Sequence, residues 1–154
     1  MSVLSGAPSI RKATAGDAAR LAAIARAAYA KYIPRMGRAP PPMLADFAAL
    51  IAAGFAVVIE NAGSVDGYMI AWSEANALLV DNLAVDPARQ GKGLGRSLLE
   101  YAIAKARRLK LPALQVYTNV LMTENISLYS HLGFVETHRT VENGLHRVHM
   151  RLTL

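Results

Sequence analysis

The chain of 154 residues contains no cysteine. That excludes disulfides, thiolate metal sites and a cysteine nucleophile, and it fits a reducing compartment such as the cytoplasm. Aromatic residues are scarce at 6%, and much of the 53% apolar content is alanine, which favours helices over aromatic packing. Charged residues make up only 18%, so an extended, self-repelling disordered chain is excluded. No apolar run approaches the roughly 18 to 20 residues that a membrane span needs, and no membrane partner is expected. The opening, MSVLSGAPS, has neither a basic segment nor a sustained apolar one, so no signal peptide is expected. Acidic residues are the minority sign: 11 against 17 basic ones, a net charge of +6. Such a balance suits nucleic acid, an anionic surface or an anionic small ligand. The charges are dispersed, however. The one tight cluster, Arg107, Arg108 and Lys110, reads as cations complementing a helix C-terminus. With no recognition-helix or zinc-finger pattern, no nucleic-acid partner is expected.

The length suits one domain. Residues 1–8 read as a flexible lead-in and 9–154 as the single domain. Ile10 to Lys12 starts a strand. Thr14 and Asp17 form a T-x-x-D capping box before an alanine-rich helix over about 17–31. IPRMGRAPPP, 33–42, carries four prolines and a glycine and reads as a loop. Its last proline suits the first turn of a second helix, MLADFAALIAA, stopped by Gly54. FAVVIE and VDGYMIAW are strands around the turn NAGS. LLVDNLAV is a third long strand. A helix then runs from near Gly93 to about 109, with Leu94, Leu98, Leu99, Ala102, Ile103, Ala106 and Leu109 at helical spacing. Beyond Pro112, ALQVYT is a strand, TENISLYSHL a helix stopped by Gly133, and FVETHRTV–ENGL–HRVHMRLTL a terminal hairpin. The order β-α-α-β-β-β-α-β-α-β-β predicts an α/β fold of the α+β kind. Its mixed sheet has a parallel crossover around the 93–109 helix.

ARQGKGLGRSLL places Gly91, Gly93 and Gly95 where that helix should start. A helix N-terminus offers unpaired N–H groups and the positive end of the dipole. Glycines there let backbone approach an anion closely, and Lys92 and Arg96 add charge. The arrangement has the logic of a phosphate cradle. It is not a Walker loop, which needs G-x-x-x-x-G-K-[ST]. Neither glycine register fits the dinucleotide G-x-G-x-x-G fingerprint.

Gln90-Gly91-Lys92-Gly93-Leu94-Gly95 does match Q/R-x-x-G-x-G/A. NISLYSHLGF, 125–134, matches N-x-x-x-x-Y-x-x-x-G-F, with one strand between the two motifs. On these residues the chain resembles the GCN5-related N-acetyltransferase (GNAT) family, and the element order agrees along nearly its whole length. MTEN…LY…LGF and Y…P…GR.PPPM also look like a common bacterial subgroup. The resemblance implies the acyl-CoA N-acyltransferase fold and acetyl-CoA as the acyl donor. It implies a pyrophosphate held by Gln90, Gly91, Lys92, Gly93, Leu94, Gly95 and Arg96. It implies a pantetheine arm held by the backbone of Leu83, Ala84 and Val85 and by Asn125. The Val85 N–H is the best-placed donor to the thioester carbonyl. The resemblance gives Tyr129 the role of general acid to the leaving thiolate and a place against the cofactor.

Acetyl transfer to an amine needs a positioned thioester, a neutral amine and a proton for the thiolate. Direct attack by the amine is the simplest mechanism in a chain without cysteine. Asp81, Glu74 and Glu124 are candidate bases, and an acceptor already neutral needs none. The resemblance implies an acceptor region formed by AYAKYIPRMGRAPPP, with Tyr32, Arg35 and Arg38, together with Trp72–Asn76, Glu124 and the final hairpin. Arginines there suit an acceptor carboxylate or phosphate, or are simply solvated. His146 and His149 read as H-x-x-H, but positions three apart on a strand face opposite sides. His131 and His138 add no ligand spacing, so no metal is expected. The expected partner is a small primary amine. The alternatives are a peptide or protein amine and a non-catalytic acyl-CoA-binding module. The exposed hairpin is compatible with a homodimer.

Overall fold

The computed structural model describes residues 7–154, so most of the expected lead-in lies outside the described residues. Among the described residues seven strands are present: β1 (Ser9–Lys12), β2 (Ala56–Asn61), β3 (Ser64–Ser73), β4 (Leu78–Val85), β5 (Ala113–Asn119), β6 (Val135–Glu142) and β7 (Leu145–Thr153). Five α-helices accompany them: α1 (Ala18–Tyr29), α2 (Ile33–Met36), α3 (Phe47–Ala52), α4 (Leu94–Arg108) and α5 (Thr123–His131). The strands form one mixed sheet in the order β1-β2-β3-β4-β5-β7-β6. The expected crossover is there: β4 and β5 pair in parallel, Leu78 with Leu114 through Val80 with Val116, on either side of α4. The pairs β1–β2, β2–β3, β5–β7 and β6–β7 are antiparallel.

The chain packs as two compact units. One comprises the described residues through Ala71 together with Asn82–Tyr101, the other Trp72–Asp81 with Ala102–Leu154. The first buries Leu21, Ile24, Val58, Ile59, Tyr68 and Leu98. Phe47 meets the Tyr68 ring edge-on at 5.3 Å. The second buries Leu78, Val80, Ala102, Leu114, Val116 and Val148. Among the described residues no helix is long and apolar enough to cross a membrane.

Helix ends explain where the sequence reading slips. The expected loop at IPRMGRAPPP instead contains α2, because Pro34 falls in its first turn, where the missing N–H is not needed. Gly37, at φ 73°, ends it. The second helix starts at Phe47, not Met43: Asp46 takes the cap by accepting the Ala49 N–H at 3.0 Å. Pro41–Leu44 forms a separate 3₁₀ turn. Leu109 was expected inward and is 48% exposed, because α4 stops at Arg108. There Lys110 adopts φ 58°. The bonds Lys110 N–H to Arg107 O and Leu111 N–H to Ala106 O close a Schellman motif.

The Thr14–Asp17 capping box is present ahead of α1. Asp17 also receives two bonds from Arg11, at 2.8 and 3.1 Å, while Arg11 Nε pairs with Glu60. The Arg11 guanidinium, first, and the Thr14 N–H hold the Asp17 carboxyl down to about 2, against burial that opposes ionisation. The folded value lies below the ordinary 3.8. The linked stability is therefore complete above pH 4 and is lost as pH falls towards 2. The shift is worth about 2 kcal/mol, trimmed to about 1–2 by water at the half-open Arg11. Asp17→Asn is expected to lose that amount in urea unfolding at pH 7. It should also flatten the loss of stability seen in wild type between pH 4 and 2. An unchanged acid dependence would refute the assignment.

Candidate active site

α4 receives its first intrahelical bond when the Ser97 N–H reaches Gly93 O at 3.0 Å. Gly93 is therefore the N-cap, and the N–H groups of Leu94, Gly95 and Arg96 lack partners within the helix. Gly91 and Gly93 have φ of 84° and 76°, the left-handed region that L side chains rarely adopt. A Cβ at either would meet nothing within 4 Å, so open space adjoins these amides. Gln90 to Gly93 and Arg96 are exposed and Leu94 is buried. Gly95 sits in ordinary contact range of Leu83 and Val85, with a Cβ there 3.9 Å from each. The result is an outward-facing set of donors flanked by Lys92 and Arg96. The residues present fit a diphosphate.

The loop is clamped from behind. Asp86 accepts from Arg20 at 2.8 Å and from the Ala88 N–H at 3.0 Å, and its own N–H donates to Asp66 O at 2.8 Å. The Arg20 guanidinium, ahead of the Ala88 N–H, lowers the Asp86 pKa, so this clamp is ionised at neutral pH. Arg89 lies 3.7 Å from the buried Asp66 carboxylate. The Gln90 carboxamide folds back to donate to Val85 O at 3.3 Å. Gln90 thus fixes the loop's shape through its side chain. The backbone of Leu83–Val85 is partly engaged too, since the Tyr29 hydroxyl lies 3.0 Å from Leu83 O. Gly67 packs so tightly here that a Cβ would come within 3.0 Å of Ala84 O.

Asn82 is a site-adjacent residue that the sequence reading missed. It is 4% exposed. It accepts from the hydroxyls of Tyr68 at 2.8 Å and Tyr29 at 3.2 Å and donates to Pro42 O at 3.3 Å. A polar residue inside LLVDNLAV was its only signal. Tyr32, expected at the acceptor region, is 2% exposed. Lys31 and Arg35 each lie 5.2 Å from its ring centre. Arg35 and Arg38 are exposed.

In the second unit α5 explains the spacing of Y-x-x-x-G-F. Gly133, at φ 100°, takes the left-handed position after the helix. Its N–H reaches Ser130 O at 3.1 Å, and the Phe134 N–H reaches Tyr129 O at 3.0 Å. This is a Schellman motif, whose apolar contact joins the residues five apart. That contact is Tyr129 against Phe134, edge-on at 5.4 Å. Tyr129 is 6% exposed, so its ring direction is set by the helix end. Met122 occupies the N-cap. Asn125 is half-buried, its amide 3.8 Å from Met122 Sδ. Glu124 is exposed and accepts from Thr123 at 3.0 Å. Glu74 is exposed, its N–H bonded to Ala77 O at 2.8 Å.

Asp81 is more firmly placed. The Tyr117 hydroxyl donates to its Oδ1. A cross-strand row continues along the same sheet face. Tyr117 is paired in register with His149, and His149 with His138. The Arg147 guanidinium lies 4.7 Å over the Tyr117 ring. The His138 and His149 rings stack at 4.2 Å, and His149 Nε2 lies 2.8 Å from Thr140 Oγ1. Burial, then Asp81, pushes the Tyr117 hydroxyl above the usual tyrosine range. Burial, then His138 and Arg147, pushes His149 down. Thr137 spends its single hydroxyl proton on His149 O at 3.2 Å. The 2.9 Å contact to His138 Nδ1 is therefore donated by the imidazole. His146 lies on the other face of β7 from His149 by strand parity. Among the described residues no three potential ligands gather into a metal-binding group.

A family model described as "Acetyltransferase (GNAT) domain" matches residues 52–136. A mycothiol acetyltransferase of Renibacterium salmoninarum is 30% identical over 132 residues, 77% of this chain but 37% of the relative. The chain thus spans little more than a third of that protein. The putative acetyltransferase yncA of Salmonella typhimurium, solved with acetyl-CoA, is 26% identical. Its TM-score is 0.67, and the match covers 96% of this chain and 94% of that one. The PaiA N-acetyltransferase of Thermoplasma acidophilum, solved with coenzyme A, superposes at a TM-score of 0.80. That match covers 97% of this chain and 100% of the other at 15% identity. With the family model matching more than half of its length and the mycothiol acetyltransferase matching over 77% of it at 30% identity, the chain belongs to the GNAT acetyltransferase family.

Proposed function

We propose that this chain is an N-acetyltransferase that moves the acetyl group of acetyl-CoA directly onto a primary amine of a small molecule in the cytoplasm. The observation that carries the reading is the open N-terminus of α4. It has two left-handed glycines, three amides without helical partners and two flanking cations. Bound acetyl-CoA supplies an activated acyl group as a thioester. Lys92, Arg96 and the amides of 94–96 hold its diphosphate, and Asn125 with the Leu83–Val85 backbone holds the arm. Asp81 Oδ2 takes a proton from the acceptor ammonium. The freed lone pair forms the N–C bond to the carbonyl carbon, and the C–S bond breaks. Tyr129 protonates the leaving thiolate. The new amide releases its second proton to solvent, from which Tyr129 is recharged, and Asp81 sheds its own proton there. The sum is ammonium plus thioester giving amide, thiol and one proton.

The relative's name, mycothiol acetyltransferase, favours a small acceptor. The test is thiol release from acetyl-CoA in the presence of spermidine, tyramine, glucosamine, free amino acids and an alanine-initiated hexapeptide. At least one small amine is expected to raise release about tenfold or more over hydrolysis. Release stimulated by the hexapeptide alone would move the acceptor to peptide amines. Tight acetyl-CoA binding with no stimulated release would leave a non-catalytic acyl-CoA-binding module.

A further inference from the structure

Asp81 is a half-buried carboxylate on the interior strand β4, and only one of its two oxygens is spoken for. Oδ1 accepts from Tyr117, and no other residue bond to its side chain is present among the described residues. The donor is itself locked. Tyr117 is fixed by its register between Gln115 and Asn119 on β5. Arg147 covers one face of its ring at 4.7 Å, and the His149 ring stands 5.8 Å away. Arg147 is held in turn by Glu142, and His149 by Thr140 and the stacked His138. A neutral phenol so held can only donate along one line. An aspartate χ2 is otherwise broad and nearly two-fold, so a free carboxylate on this strand would swing through many orientations.

We propose that Tyr117 is the positioning residue of the acceptor site: its hydroxyl pins Oδ1 of Asp81 so that Oδ2 is presented in one fixed direction to the acceptor ammonium. The inference rests on the reading of Asp81 as proton acceptor. It extends that reading to a residue outside both sequence motifs. Tyr117 touches no reacting atom, and its effect passes wholly through Asp81. Misdirection of a catalytic group by about an ångström is costly even when the group is still present. The loss falls on kcat and on the acceptor's KM. Acetyl-CoA binding is untouched.

The experiment is a double-mutant cycle on the full chain, with acetyl-CoA and the most active amine of the panel above. Tyr117→Phe keeps the ring under Arg147 and removes only the hydroxyl. Asp81→Asn keeps an acceptor for that hydroxyl and removes the charge. Tyr117→Phe is expected to lower kcat/KM for the amine about tenfold and Asp81→Asn about 100-fold. The double variant should equal Asp81→Asn alone. All three should bind acetyl-CoA within about twofold of wild type, read by calorimetry below each variant's melting midpoint. Asp81→Asn with wild-type kinetics overturns the reading of Asp81, and Tyr117's role with it. A wild type that turns over none of the amines does the same. Asp81→Asn impaired while Tyr117→Phe is normal, or the two losses multiplying in the double variant, overturns the Tyr117 inference alone.

Discussion

Gly93→Asp is expected to abolish acetyl-CoA binding in calorimetry, weakening it by at least about 100-fold, while the melting midpoint moves by only a few degrees. The two halves of the result have separate causes. Gly93 has φ 76°, which aspartate tolerates better than most side chains. A Cβ there meets no atom of the protein within 4 Å, so the chain itself has room. In the proposed cofactor site, the diphosphate of bound acetyl-CoA takes up that room. A carboxylate and a phosphate about 4 Å apart repel by on the order of 4 kcal/mol at an effective dielectric near 20, so even a partly screened pair exceeds 100-fold. Gly93→Asn is the control, with the same size and backbone demand but no charge. It should lose markedly less affinity than Gly93→Asp. Equal losses would make sterics, not charge, the reason for the glycine. Unchanged binding in Gly93→Asp would remove the loop from the cofactor site.

The sheet and the long helices were legible because their information is local and periodic. Alternation in LLVDNLAV and ALQVYT and helical spacing in α4 survive any tertiary context. The Thr14–Asp17 box, a short-range bond pattern, was legible for the same reason. The boundaries that failed depend on competition between neighbouring signals. Asp46 outcompeted Pro42 as a helix start because its side chain reaches the Ala49 N–H, whereas proline only tolerates a first turn. Lys110 ended α4 in a left-handed conformation with no glycine to announce it.

The cradle and the side-chain clusters differed in the same way. The cradle is one continuous segment, so Gly91, Gly93, Lys92 and Arg96 could be read together. Asn82, Tyr29 and Tyr68 meet from three elements, and Tyr117 reaches Asp81 across a parallel strand pair. Single-sequence periodicity gives which face a residue occupies but not which strand stands beside it. Asp81 and Tyr117 each sit on the half-buried parity of their strands. The parallel pairing of β4 and β5 was expected, but the register that brings Tyr117 to Asp81 became visible only in the folded sheet.

Tyr129→Phe is expected to lower kcat by about 100-fold, within the range a positioned general acid supplies, with acetyl-CoA affinity within about threefold of wild type. The geometry separates packing from chemistry unusually well at this residue. The ring's placement depends on backbone bonds of the α5 terminus, Phe134 N–H to Tyr129 O and Gly133 N–H to Ser130 O, and on the edge-on contact with Phe134. Phenylalanine keeps all three. Only the hydroxyl is lost, the group that the proposed mechanism uses to protonate the departing thiolate, on a residue that is 6% exposed. Higher acetyl-CoA concentration should not restore the rate, because the missing interaction belongs to the transition state and not to binding. Gly133→Ala provides the complementary case. It disturbs the left-handed helix end at φ 100° and so the direction of an intact tyrosine, and it should lower kcat while also lowering the melting midpoint. If Tyr129→Phe turns over at the wild-type rate, the thiolate leaves without help from this residue. The geometry of the Gly133 turn would then serve packing of Tyr129 on Phe134 alone.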